Sequence, residues 1–229
     1  MMRTYGFIYL AVIATIIGLS YGDTDYCKQE CPAGTSHTMC IYRNSNGPSA
    51  NCGVVKSVGP TAEEKQQIVK EHNDFRQKVA RGQESRGNPG PQPAAKNMQT
   101  MTWDDELATI AQKWANQCKF QHDQCRNVAR FAVGQNLAVK SSTGNTFSPV
   151  VELIKMWEDE VANFNRNDVK SLPRNNFSKF GHYTQMVWAD TNKIGCGTAK
   201  YHKDGWNSHY LVCNYGPTGN WIGEPLYKQ

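Results

Sequence analysis

Eight cysteines, the first at Cys27 and the last at Cys213, restrict what this 229-residue chain can fold into more than any other feature. How they are read depends on the compartment, and the first residues speak to that. A single early positive charge at Arg3 precedes an apolar stretch from Phe7 to Leu19, and the small residues Ser20 and Gly22 flank a cleavage point before Asp23. This pattern predicts a secretory signal peptide over residues 1–22 and hence a secreted, extracellular protein. Its apolar core is shorter than the ~20 residues of a membrane span, and no later stretch approaches that length. In an oxidising compartment cysteines pair. No close Cys-x-x-Cys units stand at zinc-finger spacing, so four disulfides are expected rather than a metal cluster.

One pairing follows from strand register. Ile194 to Tyr201 and Trp206 to Tyr215 read as two strands around Lys203-Asp204-Gly205-Trp206, and Asp-Gly is a favoured two-residue hairpin turn. That register sets Cys196 opposite Cys213 in a non-hydrogen-bonded pair, with Cα atoms about 4.5 Å apart, which is within disulfide reach. The other six cysteines fall as Cys27, Cys31, Cys40 and Cys52 near the mature N-terminus and Cys118 and Cys125 around a helix end. At least two bridges should tie the N-terminal segment to the rest, in a connectivity the residues alone leave open.

Cleavage after Gly22 leaves about 207 residues, enough for a sizeable core. Without Arg3 the 25 basic residues become 24 against 20 acidic ones, a net charge of +4. No Lys/Arg run resembles a nucleic-acid arm or a polybasic lipid patch, so nucleic acid is not an expected partner.

Residues 23–59 are rich in Cys, Gly, Ser and Asn and have no sustained apolar period; they read as a loop-rich extension held by disulfides. Pro60-Thr61-Ala62-Glu63-Glu64 then supplies a capping-box pattern, and Ile68, His72, Phe75 and Val79 follow at helical spacing until Gly82. Gly82 to Pro93, with three glycines and three prolines, is expected to be an exposed loop. A second helix is predicted from about Asp104 to Cys118, on the apolar stripe Trp103, Leu107, Ile110, Ala111, Trp114 and Cys118. A third starts with Ser148 as cap and Pro149 at the first helical position. It buries Val150, Leu153, Ile154, Trp157 and Val161, which leaves Glu160 on the edge of the buried face. Helices followed by an antiparallel hairpin argue for an α+β domain with layered packing. Phe164 to Phe180 is polar and Asn-rich, reads as a surface loop, and contains the glycosylation sequon Asn176-Phe177-Ser178.

Four short matches, spread over residues 60–229, carry a family resemblance. Gly181-His182-Tyr183-Thr184-Gln185-Met186-Val187-Trp188 and Tyr210-Leu211-Val212-Cys213-Asn214-Tyr215-Gly216-Pro217 look like the paired signatures of the CAP superfamily of cysteine-rich secretory, antigen 5 and pathogenesis-related proteins. Glu71-His72-Asn73-Asp74-Phe75-Arg76 resembles the family's His-Asn-x-x-Arg helix, and Gly134-Gln135-Asn136-Leu137 its Gly-Glu/Gln-Asn motif. The eight cysteines, the extension, and Met156-Trp157-Glu158-Asp159-Glu160-Val161 are most similar to the insect venom allergen 5 branch. The resemblance implies a three-layer α-β-α sandwich (a CAP, or SCP-like, domain over 60–229). It also implies that Cys27 pairs with Cys40, Cys31 with Cys125 and Cys52 with Cys118.

By the same resemblance a cleft tetrad falls on His122, Gln135, Glu160 and His182. Much of the family has glutamate where Gln135 stands, so one negative charge is missing from any cation site. No cofactor is required, yet His122, Glu160 and His182 would still form the ligand set of zinc or another divalent cation with an open position. Taken alone, His182 reads equally as a ligand and as a hydrogen-bonded structural imidazole, whereas His122 favours the structural reading. Glu160, on a core-facing helix edge, needs a partner. His72 and Arg76 read as helix residues that anchor neighbouring layers, and Trp188, Trp206 and Trp221 as core or cleft-rim aromatics.

Three functional classes compete. The first is a non-enzymatic venom allergen-like protein whose cleft binds a host protein or an apolar ligand such as a sterol or fatty acid, as the resemblance implies. The second is a metal-dependent hydrolase in which His122, His182 and Glu160 activate water. It lacks a general base at Gln135, a His-Glu-x-x-His helix and a Gly-x-Ser-x-Gly turn. The third is a purely structural or antigenic role.

Overall fold

Asp204 and Gly205 both adopt positive φ, 51° and 82°, and turn the chain back on itself as a two-residue hairpin. The turn joins β4 (Lys193–Lys203) to β5 (Trp206–Gly216), in a register that sets Lys203 against Trp206 and Cys196 against Cys213. A disulfide joins Cys196 to Cys213 with Cα atoms 4.1 Å apart. Around this hairpin the computed structural model, which describes residues 24–229, places the remaining elements. The expected signal peptide lies outside the described residues.

In chain order the other elements are α1 (Thr38–Ile41), β1 (Val54–Val58), α2 (Ala62–Ala80), β2 (Thr102–Trp103), α3 (Asp105–Ala115), β3 (Gly134–Ser142), α4 (Val150–Asp159) and α5 (Gly181–Met186). The strands form a sheet of order β1-β4-β5-β3, antiparallel throughout, and β2 adds a short parallel pairing to the start of β4. Side chains alternate across this sheet and so feed two cores. Leu137, Tyr210 and Val212 meet Ala111, Trp114 and Ala115 of α3 on one face. Ala138, Leu211, Cys213 and Tyr215 meet Ile68, Phe75 and Val79 of α2, Leu153, Ile154 and Trp157 of α4, and Tyr183 and Met186 of α5 on the other. The fold is α+β, a three-layer α-β-α sandwich.

Helix starts follow the local chemistry. Thr61 accepts from the Glu64 backbone N–H, and Glu64 accepts from the Thr61 N–H, a reciprocal capping box at the start of α2. Asp104 caps α3 through the Leu107 N–H. Layer spacing is set by two glycines: a Cβ on Gly195 would lie 2.2 Å from the Ala108 nitrogen, and one on Gly197 2.3 Å from the Gln112 Cα. Helix α3 therefore rests directly on the backbone of β4.

The extension is stapled within itself by Cys27–Cys40 and to the sandwich by Cys31–Cys125 and Cys52–Cys118. It also supplies the edge strand β1. Four local expectations need correction. Helix α3 ends at Ala115, not Cys118: Cys118 takes a left-handed φ of 48° that turns it out of the helix toward Cys52. Helix α4 begins at Val150, after Pro149 in extended geometry and with no side-chain cap; the Ser148 carbonyl instead accepts from His209 Nδ1 at 2.7 Å. A residue before proline is steered away from helical backbone, and Ser148 sits there. Within the Gly82–Pro93 loop, Glu84 and Gln92 are buried, because Glu84 pairs with Lys78 and Arg86. The Asn-rich stretch after α4 is likewise no simple surface loop: it forms short 3-10 turns pinned by the buried Phe164, Val169, Leu172 and Phe180.

Of the tryptophans expected in the core or at the cleft rim, Trp188 is buried, whereas Trp206 and Trp221 are about half exposed. Among the described residues, no helix is long and apolar enough to cross a membrane.

Candidate functional site

Strand β3 is an edge of the sheet, and its first residues point alternately to the two faces. Gln135 turns toward the α3 side and Asn136 toward the α4 and α5 side. The cleft residues gather about this edge as two hydrogen-bonded pairs. On the α3 side, His122 Nδ1 lies 2.9 Å from Gln135 Oε1. On the other side, His182 Nδ1 lies 2.7 Å from Glu160 Oε1.

The second pair is built from a helix end and a helix start. Glu160 follows α4 directly, and its Oε2 accepts from the backbone N–H groups of His182 at 2.8 Å and Tyr183 at 3.2 Å, so that it caps α5. The His182 ring also stacks on buried Trp157, with centroids 6.1 Å apart and planes 24° apart. Trp157 Nε1 in turn donates to the Leu137 carbonyl of β3 at 3.0 Å. Because Glu160 accepts at Nδ1, that nitrogen carries a proton, and in the neutral ring His182 Nε2 is the acceptor.

The first pair has a deeper support. Gln135 is buried, and its Nε2 donates to Asp123 Oδ1 at 3.0 Å and to Asn214 Oδ1 at 3.1 Å. These bonds fix which end of the amide is oxygen, so Gln135 Oε1 must accept from His122 Nδ1–H. His122 Nε2 is then likewise the free nitrogen. His122 is exposed by surface area, yet the atoms packed about its ring pull its pKa below the ordinary imidazole value by desolvation; Gln135 opposes this, and the charge of Arg126 adds to it.

Asp123 was not among the residues the sequence singles out, although it adjoins His122. Its buried carboxylate pairs with Arg126 and accepts from the Thr38 hydroxyl of the extension. The negative charge missing at position 135 thus stands one layer behind it, neutralised by Arg126. Asn136 was read only as part of a motif; its Nδ2 donates to the His182 carbonyl at 3.1 Å and joins the two sides through β3. No pattern in the sequence marks Thr38.

Behind the cleft, His72 and Arg76 tie the layers together. His72 is fully buried, with Nδ1 2.7 Å from the Ile68 carbonyl and Nε2 2.8 Å from the Tyr215 hydroxyl. The Arg76 guanidinium donates to the carbonyls of Gln99, Met186, Trp188, Ala189 and Thr191. Burial pushes its pKa down to about 9, which leaves it charged at neutral pH.

The model of the CAP, or cysteine-rich secretory protein, family matches residues 69–215. The venom allergen 5 of Rhynchium brunneum is 64% identical over 217 residues, which is 95% of each chain. That of Dolichovespula arenaria is 59% identical over 90% of this chain and 99% of its own. Among solved structures, the crystal structure of NaASP2 with Zn2+ superposes with a TM-score of 0.64 at 35% identity, covering 75% of this chain and 88% of that one.

Proposed function

The chain belongs to the cysteine-rich secretory protein family, and from that membership and the cleft geometry we propose that it is a secreted, non-enzymatic protein that binds a host protein through the cleft. In this reading residues 1–22 are removed on export, 23–59 form the stapled extension and 60–229 the binding domain.

The observation that carries the reading is that the tetrad's amide and carboxylate are already engaged, each with a histidine of the tetrad and with groups around it. Gln135 uses both ends of its amide, and Glu160 accepts three hydrogen bonds. The two imidazole Nε2 atoms keep a lone pair in the neutral rings; either could take a proton, but the tetrad sets no nucleophile and no third unengaged metal ligand beside them, and they suit acceptance of hydrogen bonds from a partner. A relative at 35% identity was crystallised with zinc, so the fit of that ion matters. A catalytic zinc centre takes three protein ligands and an open position. The tetrad offers two unengaged imidazole nitrogens, Gln135 adds no charge, and Glu160 has three of about four lone-pair sites filled. Among the described residues no group of three or more His, Cys, Asp or Glu is arranged to hold a metal. The residues do not fit the group.

A polar cleft suits a protein partner better than a sterol or fatty acid. The test is surface plasmon resonance of the protein against a panel of host plasma proteins and cell-surface ectodomains, with native mass spectrometry for carried lipid as a second arm. The expected result is at least one ectodomain bound by the native chain and bound tenfold or more weakly by His122→Ala. Absence of any protein partner, with sterol or palmitate found on the secreted protein, would replace this reading by the apolar-ligand one.

A further inference from the structure

Beside the 3-10 turn Phe177–Lys179 lies a groove of about 330 Å³ lined by polar side chains, Asn88, Asn163, Asn165, Asp168 and Lys179 among them. The sequon residue Asn176 forms part of its wall. Asn176 is exposed, and so is Ser178 two positions on. Its φ of 59° puts it in the left-handed region, where asparagine is tolerated better than most residues, and its side chain makes no capping hydrogen bond. Only its backbone carbonyl is engaged, by the Lys179 N–H at 2.9 Å. The residue between the two, Phe177, turns inward against Phe180, with ring centroids 6.1 Å apart. The turn is therefore held by its apolar residue and leaves both sequon side chains outward.

We propose that Asn176 carries an N-linked glycan whose first N-acetylglucosamine lies along this groove. The proposal rests on the reading that the chain is exported, since the donor, an oligosaccharide on a lipid pyrophosphate, is met only on that route. The Asn176 side-chain nitrogen forms the bond to C1 of the reducing-end sugar and gives up one proton. The C1–O bond to the pyrophosphate breaks, and the lipid pyrophosphate leaves with the electron pair. Nothing is oxidised or reduced. Transfer occurs on the unfolded chain; the fold decides whether the product is accommodated. Here the attachment point faces solvent and the neighbouring amides, Asp168 and Lys179 offer donors and acceptors for the hydroxyl and acetamido groups of the sugar.

The full chain, expressed in insect cells, is recovered from medium and from cell extract and measured by intact and peptide mass spectrometry. Protein in the medium should carry a mass increase of one core oligosaccharide on the peptide containing Asn176, lost in both Asn176→Gln and Ser178→Ala and removed by peptide N-glycosidase with conversion of Asn176 to aspartate. Unmodified peptide from protein in the medium would overturn the glycan and leave export standing. Unmodified protein held in the cell would overturn both. Hydrogen exchange over residues 163–168 should be slower in the glycosylated than in the enzymatically deglycosylated protein; equal rates would overturn the seating of the sugar in the groove.

Discussion

At the scale of the residue, a charge is placed where nothing acidic answers it. Arg76 is buried and surrounded by five backbone carbonyls, so its guanidinium satisfies acceptors that loops bring together from residues 99 and 186–191. Arg76→Lys keeps the charge but has one nitrogen in place of three. Several carbonyls lose their donor, at ~1–3 kcal/mol for each buried unsatisfied group, so the variant should unfold in urea with at least about 3 kcal/mol less stability than the native chain. A loss under about 1 kcal/mol would show that water fills the site.

Gln135 belongs to the same scale. Replacing it by glutamate puts a second carboxylate beside Asp123, which already accepts from the Gln135 amide at 3.0 Å. Like charges that close disfavour joint ionisation. Gln135→Glu should lower the melting temperature at pH 8 more than at pH 5, where the new carboxylate holds its proton; an equal loss at both would contradict the placement of the negative charge at Asp123. The tetrad was legible from motifs, but Asp123 and Thr38 were not. They act through hydrogen bonds between segments 85 positions apart, which leave no local spacing to read.

At the scale of the element, helix α2 carries an imidazole that the fold keeps neutral. Burial, with a smaller repulsion from Arg76, lowers the His72 pKa from 6.5 to about 4. A depressed folded-state value means that the unfolded chain binds the proton more readily below pH 6.5. The contribution is therefore complete above pH 6.5 and lost as pH falls toward 4, amounting to about 3 kcal/mol. His37, His122 and His209 are lowered in the same direction by burial, so the fall in urea stability between pH 7 and pH 4.5 should shrink, but not vanish, in His72→Gln. An unchanged slope would remove His72 from the account.

The seating of α3 on β4 gives a second test at this scale. Gly197→Ala forces a methyl to within 2.3 Å of the Gln112 Cα, which backbone cannot yield without moving the helix. Overpacking of this kind costs about 1–3 kcal/mol, measurable by thermal unfolding, whereas a neutral substitution would show that the layers float. Helix positions were readable because Ile68, Phe75, Leu107, Ile110, Leu153 and Trp157 repeat at helical spacing. The hairpin was readable from Asp204-Gly205. Misjudged ends, at Cys118 and Ser148, lie where a disulfide or a cross-layer hydrogen bond overrides local preference.

At the scale of the whole molecule, a stapled N-terminal segment reaches under the cleft. Cys31–Cys125 and Cys52–Cys118 close stretches 94 and 66 residues long, and between them Thr38 docks on Asp123. The site is therefore a product of both parts of the chain. At the cleft Gln135 and Glu160 orient the two imidazoles through Nδ1, which leaves each Nε2 as an acceptor in the neutral ring. The most direct measurement is hydrolysis of a peptide library by the purified protein, loaded with zinc or calcium, alongside His182→Ala. The account predicts that native protein and variant give the same background rate; metal-dependent cleavage by the native chain that His182→Ala abolishes would contradict it.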